Sequence, residues 1–168
     1  NHAAALELLG EPHRALQIYR RSLELARRRA DKPNEALRLN NIATLEQGLG
    51  NWPVALDYLE QALGMFRQFG DRRREALVLQ NTAVGYLTLG DFESTIATLH
   101  TALPLFREAK DLRGEADTWL SLGAAHFLQK EFEKALDAYQ QSLTARNALG
   151  DRALTASTHA RISLVQAE

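Results

Sequence analysis

The chain has 168 residues, 45% of them hydrophobic and 24% charged, which supplies apolar surface for a packed core and excludes a disordered composition. Twenty Lys and Arg against 21 Asp and Glu leave a net charge of −1, so no global field draws the chain to nucleic acid or to an anionic membrane. The absence of cysteine excludes a disulfide framework, a thiolate metal site and a cysteine nucleophile.

In chain order, residues 1–30 are expected to hold a truncated helix of one kind, A, and a complete helix of a second kind, B. Gly10 and Glu11 separate them, and Pro12 falls in a first turn, where its missing N–H costs nothing. From Asp31, apolar residues at Ala36, Leu39, Ile42, Ala43 and Leu45 follow the three-and-four spacing of one helix face, giving a second A helix that ends near Gly50. A B helix with Ala55, Leu56, Leu59, Ala62, Leu63 and Phe66 follows, with Asn51 as its N-cap, Pro53 in its first turn and Gly70 at its end. The same plan recurs over 71–110, where Gly90 ends the A helix, Asp91 caps the B helix, and Pro104 inside the B helix predicts a kink between His100 and Pro104. It recurs again over 111–150, with Lys130 in place of the glycine. A last helix, about Arg152 to Gln166 within 151–168, carries Ile162, Leu164 and Val165 and is expected to be a cap or the start of another unit. Its exposed apolar end would invite end-to-end self-association.

Four series share one period of 40: Gly10, Gly50, Gly90 and Lys130; Glu11, Asn51, Asp91 and Glu131; Asp31, Asp71, Asp111 and Asp151; Ala36, Ala76, Ala116 and Ala156. Glu35, Glu75 and Glu115 add negative charge to early turns, where the helix dipole favours it. Short turns make neighbouring helices antiparallel, and no single pair covers its own apolar face, so pairs must stack on one another. The fold class is therefore all-α, a single array of antiparallel helix pairs over 1–168. HEAT-type hairpins share the period and are the structural alternative; WD40 blades share it too but need alternating short strands, which the pattern lacks.

Trp119, Leu122 and Gly123 fit the W-x-x-L-G opening of a tetratricopeptide repeat, and Leu79, Ala83 and Tyr86 fit the same frame one unit earlier. Ala55, Leu59 and Ala62, and Ala135, Tyr139 and Ser142, resemble the family's small, bulky, small series in helix B. The chain thus resembles the tetratricopeptide repeat family over nearly its whole length, with a unit of 40 residues where about 34 is usual. The longer unit is similar to those of kinesin light chains, Pins-type polarity adaptors, bacterial peptide-pheromone receptors and arrays attached to bacterial signalling ATPases or caspase-like proteases. The resemblance implies a right-handed α-α superhelix whose concave surface, made by the A helices, holds a peptide or protein. Ala43, Ala83 and Gly123 would let neighbouring helices approach closely. His126 in the place of Tyr86, and Thr95 in the place of Ala55 and Ala135, depart from the pattern.

No convergent catalytic or metal-binding set emerges. His2, His13, His100, His126 and His159 lack H-x-x-x-H spacing, and Gly48, Leu49 and Gly50 read as a turn between helices, since the third glycine of a dinucleotide loop is missing. Arg27 to Arg29 sit near a helix end where positive charge is favourable, and Arg72 to Arg74 are expected to meet an acidic partner segment.

If Leu39, Ile42, Ala43 and Glu46 form the packed side of the A helix, then Leu37, Asn40, Asn41, Thr44 and Gly48 turn toward the groove. The equivalents are Leu77, Gln80, Asn81, Val84 and Thr88, then Asp117, Leu120, Ser121, Ala124 and Leu128. Asn is a mediocre helix former, and an amide can pair with the backbone of an extended peptide whatever its sequence. The resemblance implies that Asn41 and Asn81 make such contacts, with Ser121 weakening the series. Leu120, Ala124, Phe127 and Leu128 would make the C-terminal half of the groove more apolar, unless the next unit buries them.

The expected function is a non-catalytic scaffold that binds a protein or peptide, as the sensor or docking arm of a larger signalling protein. No cofactor, metal, nucleic acid or membrane is expected. No apolar stretch approaches the roughly 18 residues of a bilayer span, the N-terminus has no signal-peptide pattern, and a cytoplasmic setting is the expectation. The opening Asn1 and His2, with Met65 the one methionine, suggest a piece of a longer protein. The alternatives are a receptor for a short signalling peptide and the regulatory segment of a multidomain ATPase or protease.

Overall fold

The computed structural model describes residues 10–167; the truncated A helix expected at the start of the chain, and His2, lie outside the described residues. Among the described residues eight α-helices follow one another without a strand: α1 Pro12–Arg28, α2 Lys32–Gly48, α3 Trp52–Phe69, α4 Arg72–Thr88, α5 Phe92–Glu108, α6 Leu112–Leu128, α7 Phe132–Leu149 and α8 Arg152–Gln166. The chain divides into two compact units, one ending at Asp71 and one beginning at Arg72.

The turns explain how helix follows helix with so few residues between. Gly10, Gly50, Gly70, Gly90 and Gly150 have positive φ, and so do Ala30, Lys110 and Lys130. Left-handed residues thus recur every 20 positions from Gly10 to Gly150, after each of α1 to α7 and not only where glycine stands; α8 ends on a right-handed Ala167. After α1, the N–H of Asp31 bonds to the Ala26 carbonyl and that of Ala30 to the Arg27 carbonyl, which is the Schellman arrangement. Asp31 then begins the next helix, its side chain accepting from the Asn34 N–H, so one residue closes one helix and caps another. Asp91, Asp111 and Asp151 cap in the same way, through the N–H groups of Ser94, Gly114 and Leu154. Each such cap contributes about 1 kcal/mol.

One local expectation needs correction. Asn51 makes no capping bond; its amide donates to Glu46 Oε2 at 2.7 Å, because the buried Glu46 carboxylate is the stronger acceptor within reach. α5 runs unbroken from Phe92 to Glu108 through Pro104, which lies on its exposed side, where water can serve the carbonyl that loses its donor.

In the first unit the core comprises Ala15, Leu16, Tyr19 and Leu23 of α1, Ala36, Leu39, Ile42 and Ala43 of α2, and Ala55, Leu59, Ala62 and Phe66 of α3. The side of the A helix expected to pack does so, Glu46 included. In the second unit Ala83, Leu99, Leu122 and Ala138 form one cluster and Ala135, Tyr139 and Val165 another. Tyr139 lies against Gly123 while Ser142, one turn on, donates to the Ala116 carbonyl at 2.8 Å, so α7 advances as α6 recedes and the pair is antiparallel. Close approach there depends on a missing side chain. A Cβ on Gly123 would sit 2.5 Å from Tyr139 Cε1, and one on Gly114 would sit 2.9 Å from Phe106 Cγ.

Candidate functional site

On α2 the side chains expected to face outward, Leu37, Asn40 and Asn41, are half-buried and Thr44 is exposed, while Leu39, Ile42 and Ala43 between them are fully covered. A helix alternates between two such stripes because 3.6 residues make a turn. In the second unit Leu77, Gln80 and Asn81 of α4 are half-buried and Val84 is exposed; Asp117, Leu120, Ser121 and Ala124 of α6 are half-buried.

Many polar groups on this stripe are already committed. Gln80 Nε2 donates to Thr118 Oγ1 at 3.1 Å and to the Gly114 carbonyl at 3.4 Å, tying α4 to α6. Thr44 and Ser121 return their hydroxyl protons to the carbonyls of Asn40 and Asp117, one turn back. Asn40 and Asn81 also have interactions within the chain. The half-buried Asn41 side chain bonds to no other described residue.

The C-terminal part of the stripe is less apolar than its sequence suggests. Leu120 and Phe127 pack against the Ala135, Tyr139 and Val165 cluster, and Leu128 is left exposed.

Asp117 holds a partner that sequence reasoning missed. Arg146 of α7 is 2% exposed; its Nη2 donates to Asp117 Oδ1 at 2.9 Å, and its Nη1 donates to the Leu154 carbonyl at 2.8 Å and to Thr158 Oγ1 at 3.0 Å. The available signal was positional: Arg146 stands where the period places Phe66 and Phe106, both buried. Both terminal nitrogens are met while the buried Nε is not, and through those two nitrogens the guanidinium joins α6, α7 and α8.

Arg27, Arg72 and Arg73 of the basic clusters pair within the chain. Arg73 bonds to Asp111 at 2.6 Å, and Arg72 to Glu75 at 3.0 Å and Glu108 at 3.5 Å, so neither is the free cation expected to meet an acidic partner. Arg27 pairs with Glu35 at 3.0 Å, and Arg107 with Glu115 at 2.7 Å, the same link 80 residues later. Hydrogen bonds from Lys32 foremost, then from Arg27, hold the Glu35 carboxyl below its usual pKa. The Gly114 N–H foremost, then Arg73, does the same for Asp111. Both pKa values are depressed by folding. Their contribution is therefore full above the unfolded carboxylate pKa and is lost as pH falls through the folded one.

His13, His100 and His159 are exposed, and His126 Nδ1 lies 2.6 Å from Glu131 Oε2. Among the described residues no group of three or more His, Asp or Glu is placed to hold a metal ion, and no helix is long and apolar enough to cross a membrane.

A tetratricopeptide repeat model matches residues 1–68, 39–108 and 74–148. No curated protein matches the chain significantly in sequence. Among solved structures, BtubC (BKLC) from P. vanneervenii superposes with a TM-score of 0.87 at 21% identity, over 97% of this chain and 68% of its own. A Signal Transduction ATPase with Numerous Domains protein from Pyrococcus horikoshii, which has a tetratricopeptide repeat sensor, gives 0.87 at 20% identity, over 97% of this chain and 25% of its own. Aspartyl phosphate phosphatase F from Bacillus subtilis gives 0.92 at 14% identity, over 98% and 43%. The chain thus spans less than half the length of the last two.

Proposed function

Because the chain belongs to the tetratricopeptide repeat family, we propose that it is a non-catalytic scaffold that holds an extended protein or peptide segment against the outward stripe of its A helices. The observation that carries this reading is Asn41: half-buried, in a helix interior where Asn has no intrinsic advantage, with its amide bonded to no other described residue. A planar amide of this kind satisfies a donor and an acceptor of a peptide backbone at once. Asn81 and Ser121 are the corresponding side chains of α4 and α6, with Leu37, Leu77, Leu120, Val84 and Ala124 offering apolar contact beside them.

The setting we favour is the sensor or docking arm of a larger, cytoplasmic signalling protein. The likeness to the repeat sensor of a multidomain signal-transduction ATPase, of which the chain spans a quarter, supports that setting. The alternatives are a receptor for a short signalling peptide and the regulatory segment of a multidomain ATPase or protease. End-to-end association through α8, whose Leu164 is exposed, is a further proposal that sedimentation tests.

The test is a selection of displayed random dodecapeptides on the immobilised chain, followed by calorimetry with the tightest peptide. Asn41→Ala should weaken it about tenfold, the worth of one or two backbone hydrogen bonds left unmade. Unchanged affinity in Asn41→Ala and Asn81→Ala together removes the amides from the account.

A further inference from the structure

A second concave surface lies in the second unit, on the side made by B helices. It is a cavity of about 610 Å³ between α5 and α7, floored by Trp119 and Leu122 of α6, with Ile96 and His100 on one wall and Glu133, Asp137 and Ala138 on the other. Glu93 and Glu131 border its continuation. Four carboxylates therefore surround a site whose one lysine, Lys134, is already paired with Glu131 at 2.7 Å. His126 is bonded to that same Glu131. The chain's own Arg107 guanidinium lies over the Trp119 ring, 5.9 Å from its centroid and outside the residues that line the cavity, its charge answered by Glu115. Glu133 and Asp137, four residues apart on one face of α7, bond to no other described side chain.

The first unit shows what the equivalent place accepts. Eighty residues before His100 and His126 stand Arg20 and Glu46, and Arg20 reaches from α1 to bond the buried Glu46 at 2.7 Å. Where the second unit has Trp119 and Ala138, the first has Leu39 and Tyr58, a smaller floor and a larger wall. The first unit thus supplies its own guanidinium, and the cavity beside its Tyr58 is the smaller of the two, about 530 Å³, with Pro53 where the second unit has Glu133. The second replaces that arginine by an exposed histidine, opens the wall to Ala138, widens the floor to an indole and sets two unpaired carboxylates on the lip.

We propose that this cleft takes an arginine side chain from a partner polypeptide. The guanidinium stacks on Trp119 and forks to Glu133 and Asp137, while a neighbouring apolar residue of the partner rests on Ile96. Arginine is favoured over lysine because a planar, weakly hydrated cation suits both an aromatic face and a pair of carboxylates. The volume exceeds that of one side chain, and falls in the range of clefts that enclose a small ligand. The site lies on α5, α6 and α7 apart from the outward stripe of the A helices, so it stands or falls independently of the reading above.

The test uses the indole N–H resonances of the 168-residue chain, whose two tryptophans are Trp52 and Trp119, assigned through Trp52→Phe. The probe is the capped tripeptide acetyl-Leu-Arg-Leu-amide, set against the same peptide with citrulline, which keeps the shape and loses the charge. The Trp119 signal should shift saturably with the arginine peptide while Trp52 stays in place. The citrulline peptide should bind about tenfold more weakly, and Glu133→Gln with Asp137→Asn should cost about the same factor. Ala138→Tyr, which restores the wall of the first unit, should abolish the shift; the two exposed carboxylate variants keep the test valid if that replacement unfolds α7. Equal binding of the citrulline peptide, or no shift up to the solubility limit, overturns the proposal. So does self-association that Ala138→Tyr removes, which would make a second copy of the chain the occupant.

Discussion

Gly123→Ala and Gly64→Ala make the same chemical change in two helix interiors, and the structure gives them opposite signs. Each replacement gains about 1 kcal/mol of helix propensity. At Gly64 nothing lies within 4 Å of the new methyl, so the gain stands. At Gly123 the methyl would meet the Tyr139 ring at 2.5 Å from Cε1 and 3.0 Å from Cγ, and Tyr139 is 2% exposed, so the ring or the helix must shift. Overpacking of this kind costs up to about 3 kcal/mol, leaving a net loss of about 2 kcal/mol. For a chain of this size that lowers Tm by about 4–8 °C, against a rise of about 2–4 °C for Gly64→Ala. Thermal melts and urea midpoints read both. Tyr139→Leu in the Gly123→Ala background should recover part of the loss, with a coupling energy of about 1 kcal/mol. If Gly123→Ala is as stable as Gly64→Ala, the close contact of α6 with α7 is not what fixes their packing.

The left-handed positions make a second set of targets. Ala30→Gly, Lys110→Gly and Lys130→Gly relieve an L residue of positive φ and should each raise the urea midpoint by the equivalent of about 0.5–1 kcal/mol, whereas Gly90→Ala should lower it; no gain at all three would mean that the turns adjust without strain. Asn51→Asp would be neutral if Asn51 were a simple N-cap, for which Asp is as good. Because the Asn51 amide instead donates to buried Glu46, the new carboxylate faces another and should cost about 1–2 kcal/mol, measured the same way.

Among the described residues the helices, their order and the side of each A helix that packs were legible from the sequence because those signals are local. Apolar residues at three and four, acids that open helices and glycines that end them recur every 40 residues, and each repetition tests the one before. The full turn rule was only half legible: glycines mark positions 50, 70, 90 and 150, while Ala30, Lys110 and Lys130 adopt the same backbone without the residue that advertises it.

Tertiary structure decided which outward-facing polar groups remain available. Nothing in the local pattern separates Gln80, spent on Thr118 and Gly114, from Asn41, because the partner of Gln80 lies 38 residues away on another helix. The same holds for Arg146, whose place in the period is that of a buried phenylalanine and whose charge is met from α6 and α8 together. Periodicity states which side of a helix is covered. What a side chain touches there depends on residues a repeat away, and only packing brings them within bonding distance.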